Sequence, residues 1–386
     1  MKSKENFCEN IVIIYGGKSV EHDISIITGL QVVQNIDKNN RQIFQIYVDK
    51  DGKWYLIEKQ LNPNDFINLN YKKLKDVAIL PNTNFLYKKS GEKYKKLAKI
   101  NCVILATHGV NGEDGSIYGL FQLNGIAVAN CNLTSSAICM DKEYMKDIFN
   151  ANDFPHIPYG AIYKNDFDKN FNEILADFEI KFNYPMIVKP ANLGSSIGIN
   201  IIHNAIEFKK HCEFAFIFDK KIIIEKALTD FFEINCACMV KDGEIITSKC
   251  ETPVSLKEFL TYEEKYMSKG KIKNNNKQGI KKSIEAKIKK LTKQLYKKFN
   301  CSGVIRIDFL FDNLENKLYV NELNTIPGSF ANYLFEFNFK QLIDYLIIDA
   351  YKNKKELENI TFCFESNVLN IKKDLMHLNK SEINKI

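Results

Sequence analysis

The chain has 386 residues and ten cysteines, but no C-x-x-C pair. The nearest approach is C-x-C, Cys236 and Cys238, inside an apolar, strand-like run. Cys102, Cys131, Cys139 and Cys301 also sit among apolar or small neighbours. Reduced, mostly buried thiols of a cytosolic protein are therefore expected. No apolar run reaches the ~18 residues of a membrane span. The first ten residues, M-K-S-K-E-N-F-C-E-N, lack the apolar centre of a secretory leader. A cytoplasmic location with no membrane partner is the expectation. No basic stretch is interleaved with aromatics, so nucleic acid is not an expected partner. The balance of 54 basic against 47 acidic residues, net +7, fits small anionic ligands better. G-x-G-x-x-G is absent, which disfavours a nicotinamide-dependent oxidoreductase, and the G-x-x-x-x-G-K-[ST] phosphate loop is absent too.

What is present points to a multidomain α/β protein. Residues 11–15 (I-V-I-I-Y) read as a buried parallel strand, turned by Gly16-Gly17-Lys18-Ser19 into a helix over 20–34. Glu21, His22 and Asp23 fall at the helix start. They serve equally as first-turn acids on the helix dipole or as a carboxylate facing a ligand amine. Strands are expected at 42–48 and 54–57, and residues 58–100 read as a polar surface excursion. Residues 102–106 (C-V-I-L-A) form a third buried strand. Thr107-His108-Gly109-Val110-Asn111-Gly112-Glu113-Asp114-Gly115 then lies at a carboxyl strand end, where open α/β sheets bind ligands. A helix over 116–123 follows. Ser135-Ser136 caps a further helix that contains Met140-Asp141-Lys142.

Residues 184–190 (Y-P-M-I-V-K-P) form a strand ending near Lys189. The Gly/Ser loop 191–198 after it suits phosphates, with backbone N–H groups, hydroxyls and the lysine as donors, or it is a plain hairpin turn. Residues 221–225 form the next strand, and 231–240 with 244–249 a hairpin. A lysine-rich loop around 262–282 is either a lid drawn to phosphate or a solvated loop. A helix spans 283–299. Residues 304–328 form a hairpin that sets Asp308 opposite Glu322 and Arg306 opposite Asn324 on one face. Ile305, Ile307, Phe309, Tyr319 and Leu323 take the other. Two carboxylates and an amide oxygen suit a hard cation such as Mg²⁺, and Arg306 an anion. On spacing alone, a solvated face with cross-strand ion pairs fits as well. A helix over 341–351 and a polar tail close the chain.

Seven blocks in order resemble the D-alanine–D-alanine ligases of the ATP-grasp superfamily: G-G-K-S-V-E-H-D-I-S, H-G-V-N-G-E-D-G, M-D-K, I-V-K-P-A-N-L-G-S-S-I-G, Y-E-E-K-Y, R-I-D-F and N-E-L-N-T-I-P-G. The resemblance implies a mixed α/β, three-domain ATP-grasp fold with an N-terminal parallel sheet. Its parts would be a substrate domain (1–131), a central subdomain (132–228), a C-terminal subdomain with the metal site (229–351) and an appended tail (352–386). It implies ATP and two Mg²⁺ ions, with Mn²⁺ as a substitute, D-alanine as substrate, and a homodimer. By the same resemblance, Lys142, Lys189 and Ser196 meet ATP phosphates. Glu225, Lys226, Ala227 and Leu228 meet the adenine, Glu233 the ribose, and Lys265 the γ-phosphate. Asp308, Glu322 and Asn324 hold the metals. Glu21 takes the ammonium of the first D-alanine, linked through Ser195 to Tyr266, and His108 faces its carboxylate side. Arg306 and the Gly328 N–H stabilise the oxyanion. Tyr333, where the family often has serine, and Leu334 meet the second substrate. Tyr266, in place of the histidine typical of depsipeptide-forming relatives, implies an amine acceptor.

Overall fold

The computed structural model describes residues 8–253 and 280–361. Lys265 and Tyr266, most of the expected lid and residues 362–386 lie outside these residues. The strands are β1 (Glu9–Gly16), β2 (Arg41–Val48), β3 (Trp54–Ile57), β4 (Lys75–Ile79), β5 (Phe85–Ser90), β6 (Lys93–Lys99), β7 (Cys102–Leu105), β8 (Ala127–Val128), β9 (Tyr159–Tyr163), β10 (Met186–Pro190), β11 (Asn200–Ile202), β12 (Lys221–Lys226), β13 (Phe231–Lys241), β14 (Glu244–Glu251), β15 (Ile305–Asp312) and β16 (Lys317–Asn324). The helices are α1 (His22–Asn35), α2 (Ser116–Leu123), α3 (Leu133–Met140), α4 (Lys142–Ala151), α5 (Lys164–Phe182), α6 (Ala205–Ala215), α7 (Lys282–Lys298) and α8 (Phe339–Glu358).

Three sheets result. The first has the order β6-β5-β4-β3-β2-β1-β7-β8. Only β2, β1, β7 and β8 are mutually parallel. Strand β1 is buried on both faces. Ile11, Ile13 and Tyr15 pack with α1 and α8, while Val12 and Ile14 pack on the α2 side. The expected parallel strands thus form one half of this sheet, and the returning strand at 54–57 is antiparallel to β2. The 58–100 excursion supplies three antiparallel strands at its edge. Strand β6 (K-Y-K-K-L-A-K) is almost wholly exposed, and its lysines guard an open edge, so it carries no apolar alternation to read. Gly29 lets α1 close onto β1, since a Cβ there would lie 2.4 Å from the Tyr15 Cβ.

The second sheet, β11-β10-β12-β9, is antiparallel and shares its core with α5 and α6. The third, β14-β13-β15-β16, is antiparallel and packs on α7. The helix expected around residue 141 is two helices. Asn132, rather than Ser135-Ser136, caps α3 by accepting the Ser135 N–H. Asp141 then breaks the chain and caps α4 by accepting from Glu143 and Tyr144. Helix α8 starts in a capping box of Asn338 and Gln341 and runs to Glu358. The first part of the supposed tail is therefore its last turns.

Candidate active site

The β15–β16 hairpin has the expected register where it matters. Asp308 pairs with Glu322, and Arg306 with Asn324. A bulge after Asp308 then shifts the alternation by one residue. Phe309 and Val320 stay in the core, whereas Tyr319 joins Leu310 and Ile157 on the opposite face. Tyr319 is therefore not part of the face that carries Ile305, Ile307 and Leu323. Arg306 clasps Asp308 through two bonds, Nε to Oδ1 (2.6 Å) and Nη2 to Oδ2 (2.8 Å). The Asn324 amide donates to the same Oδ2 at 2.9 Å. Asn235, opposite Asp308 on β13, places its amide 3.0 Å from both Glu233 Oε1 and Asp308 Oδ1. Glu233 therefore sits on the carboxylate face. The donor set is hard oxygen, which suits Mg²⁺. Among the described residues, no three His, Cys, Asp or Glu side chains form a metal-holding group. A metal here would draw on the Asn324 oxygen and on substrate phosphate oxygens.

Behind this face lies a concentration of buried positive charge. Lys142, Lys146 and Lys189 are all buried. Lys142 Nζ donates to the Leu193 carbonyl at 2.7 Å. Glu225, 0% exposed, holds Lys146 on one oxygen and Lys189 on the other, each at 2.7 Å. Burial alone would raise the Glu225 carboxyl, but the two lysines hold it down at about 2. Burial draws the Lys142 and Lys146 ammonium groups below the usual lysine range. Two ammonium groups share the Glu225 carboxylate, and Lys142 stands near them under the charges of Glu322 and Glu225, a cluster of buried ammonium groups that favours a polyanion. The Glu225 side chain is thus engaged by lysines. Lys226 is exposed toward Glu315 at 3.4 Å, Ala227 is buried, and Leu228 packs beside Leu310.

In front lies a cavity of ≈ 330 Å³. Glu21, His108, Glu113 and Ser195 line one side, and Arg306, Glu322, Asn324 and Gly328 the other. Ser195 donates to Glu21 Oε1. Gly194 and Gly109 crowd the same carboxylate, where a Cβ would lie 3.0 Å and 2.8 Å from Glu21 Oε2. Ser195 and Ser196 are left-handed, with φ of 55° and 58°, a conformation costing ~1–2 kcal/mol per non-glycine residue. Burial pushes the His108 imidazole down to about 4. It is neutral, bonded to the Ile326 backbone, with Nε2 2.9 Å from Thr28 Oγ1. Thr28 in turn accepts the Ser329 N–H at 3.3 Å. His108 therefore ties α1 to the Gly328 turn instead of offering a cation to a carboxylate. Ser329, Phe330 and Ala331 are all left-handed, with φ of 50–51°. The burial of Phe330 and Ala331 in the first core pins them. Tyr333 stands at the cavity wall, 46% exposed. Leu334 does not line the cavity. It is fully buried in the first core.

The comparisons agree with this geometry. The family profile "D-ala D-ala ligase N-terminus" matches residues 10–131, and "D-ala D-ala ligase C-terminus" matches 148–347. A D-alanine–D-alanine ligase of Thermosipho africanus is 36% identical over 94% of this chain and 99% of its own length. One of Caldicellulosiruptor bescii is 34% identical over 92% of this chain and 98% of its own. The chain belongs to the D-alanine–D-alanine ligase family. Among solved structures, the Helicobacter pylori D-alanine–D-alanine ligase superposes with TM-score 0.72 at 28% identity, over 88% of this chain and 98% of its own. The VanG D-Ala:D-Ser ligase of Enterococcus faecalis superposes with TM-score 0.76 at 28% identity, over 89% and 99%.

Three side chains of this ligase-family site escaped the sequence reading, although each carried a signal. Lys146 is one helical turn from Lys142, so both share a face of α4. Asn235 is two residues from Glu233 and shares its strand face. Glu113 lies in the glycine loop after β7, accepts the Gly109 N–H at 2.8 Å, and comes within 4.0 Å of His108. Burial, then the nearby Glu21 charge, pushes the Glu113 carboxyl up to about 8. Between the usual 4.5 and that value, the folded protein keeps a proton that the unfolded chain has released. Stability thus falls as pH rises through this window. Glu113→Gln is expected to raise the thermal midpoint at pH 8, with the gain fading toward pH 4.5. Melts at several pH values check this. A difference independent of pH would mean that the carboxyl is ionised in the fold.

Proposed function

We propose that the chain joins two D-alanine molecules in an ATP-dependent ligation through an acyl phosphate, in peptidoglycan precursor synthesis. The observation that carries the reading is the cavity. Its buried carboxylate, Glu21, faces an Arg–Asp–Glu–Asn hairpin face backed by three buried lysines. A zwitterionic amino acid fits between these walls, its ammonium toward Glu21 and Ser195 and its carboxylate toward Arg306.

A free carboxylate is a poor acyl donor, because oxide would have to leave. Attack of a carboxylate oxygen on the γ-phosphorus of ATP forms the acyl phosphate and releases ADP. Lys142 and Lys189 hold phosphate oxygens during this transfer, and the Ser195-Ser196 turn covers them. Asp308, Glu322 and Asn324 would hold Mg²⁺, which screens phosphate charge when bound. The amine of the second D-alanine then attacks the activated carbonyl and loses a proton. Arg306 and the Gly328 N–H face the oxygen that becomes an oxyanion, support worth ~3–4 kcal/mol per donor. The left-handed residues after Gly328 hold its N–H in place. Inorganic phosphate leaves with the peptide bond formed. The strand exit at 226–228 takes the adenine and Glu233 the ribose.

The test is phosphate release from Mg-ATP with D-alanine, with L-alanine, and with D-alanine plus D-serine or D-lactate. Release that requires D-alanine, with the dipeptide found by mass, is the expected result. Preferred use of D-serine would assign the second site, beside Tyr333, to a different acceptor. No release despite ATP binding would overturn the reading.

A further inference from the structure

Lys146 has no place in the reaction as described. It lies on α4, and its side chain is only 1% exposed. A buried ammonium is tolerated when a charge partner is at hand. That partner is Glu225 Oε1 at 2.7 Å, while Oε2 of the same carboxylate holds Lys189 at 2.7 Å. The two lysines are not equivalent. Lys189 is the more exposed, at 10%, and its Nζ lies 3.5 Å from Asn321 Oδ1 on the β15–β16 hairpin. It stands between the carboxylate and the face that carries Asp308 and Glu322. Lys146 stays inside, in an ion pair with Glu225 and under the weaker influence of the Glu322 charge.

A lysine that meets a phosphate oxygen has to loosen its hold on a carboxylate. Glu225 is 0% exposed, so if it lost its sole counter-ion it would be an unpaired buried charge. That penalty would be set against every nucleotide bound. A second ammonium that never leaves removes it. We propose that Lys146 is the standing counter-ion of Glu225, which frees Lys189 to pass between that carboxylate and a nucleotide phosphate. This rests on the reading that Lys189 binds phosphate. Lys146 is a positioning residue and touches no substrate.

The test uses Lys146→Met, Glu225→Gln, the double variant and Lys189→Met. The readouts are KM for ATP and for D-alanine, kcat, and calorimetric binding of ADP and of adenosine. In Lys146→Met, the KM for ATP is expected to rise about tenfold or more, and ADP binding to weaken in step. Adenosine, which carries no phosphate, should bind as before, and the KM for D-alanine should hold. In the Glu225→Gln background, the same lysine substitution should be silent, because no carboxylate is left to compensate. An unchanged KM for ATP in folded Lys146→Met overturns the proposal. So does an equal rise in the Glu225→Gln background, which would mean that Lys146 acts on the nucleotide itself or on packing. If Lys146→Met alone does not fold, Glu225→Gln against the double variant still decides, since neither contains the orphaned carboxylate. Lys189→Met with unaltered ADP binding would remove the underlying phosphate reading instead.

Discussion

Glu322→Gln is expected to cut dipeptide synthesis by on the order of 10³-fold while leaving the fold intact. Glu322 lies directly across from Asp308, and like charges in that position repel. Glutamine keeps the shape and removes both this repulsion and the attraction to the buried Lys142 and Lys146 ammonium groups, so the thermal midpoint should change little. The same negative charge is what a Mg²⁺ ion held at this face would require, and glutamine cannot supply it. A variant with near-normal turnover would remove the hairpin from the metal site. Loss of activity together with a large drop in midpoint would make Glu322 structural.

Lys189→Ala should be as severe for turnover, by on the order of 10³-fold, for a different reason. It removes the ammonium that stands nearest the hairpin face and leaves Glu225 with Lys146 alone. Breaking a buried pair usually costs ~3–5 kcal/mol because a charge is orphaned. Here it is not, so circular dichroism and the melting midpoint should change little while ATP-dependent phosphate release disappears. Retained turnover would contradict the assignment of Lys189 to phosphate. A collapse of the fold would mean that Lys146 does not sustain Glu225 by itself.

Much of the site was legible because its chemistry is written at short range. Strand periodicity alone placed Asp308 with Glu322 and Arg306 with Asn324. The glycine loops after β7 and β10 marked a candidate crevice, and both line the cavity that holds Glu21, with Gly109 and Gly194 crowding its carboxylate. Misreadings arose where one residue alters everything downstream. The bulge after Asp308 moved Tyr319 to the other face, and no local pattern marks an extra residue in a strand. Asp141 split one expected helix into two, since an aspartate with open backbone donors ahead of it stabilises a new start.

The sequence by itself determined the elements that build the site, the order of their motifs and the residue types on offer. Those follow from backbone propensity, turn chemistry and side-chain period, all local. Only the tertiary structure decided how the groups share charge. Glu225 lies on β12 beside lysines from α4 and β10, so a residue expected at the base became the counter-ion of two lysines. His108 became a neutral link between Thr28 and Ile326 because burial disfavours its cation. Leu334 went to the core, which no local cue marked, while Glu113, in a loop the sequence did mark, went to the cavity. Protonation and pairing depend on what surrounds a group in space, and segments remote in the chain supply those surroundings.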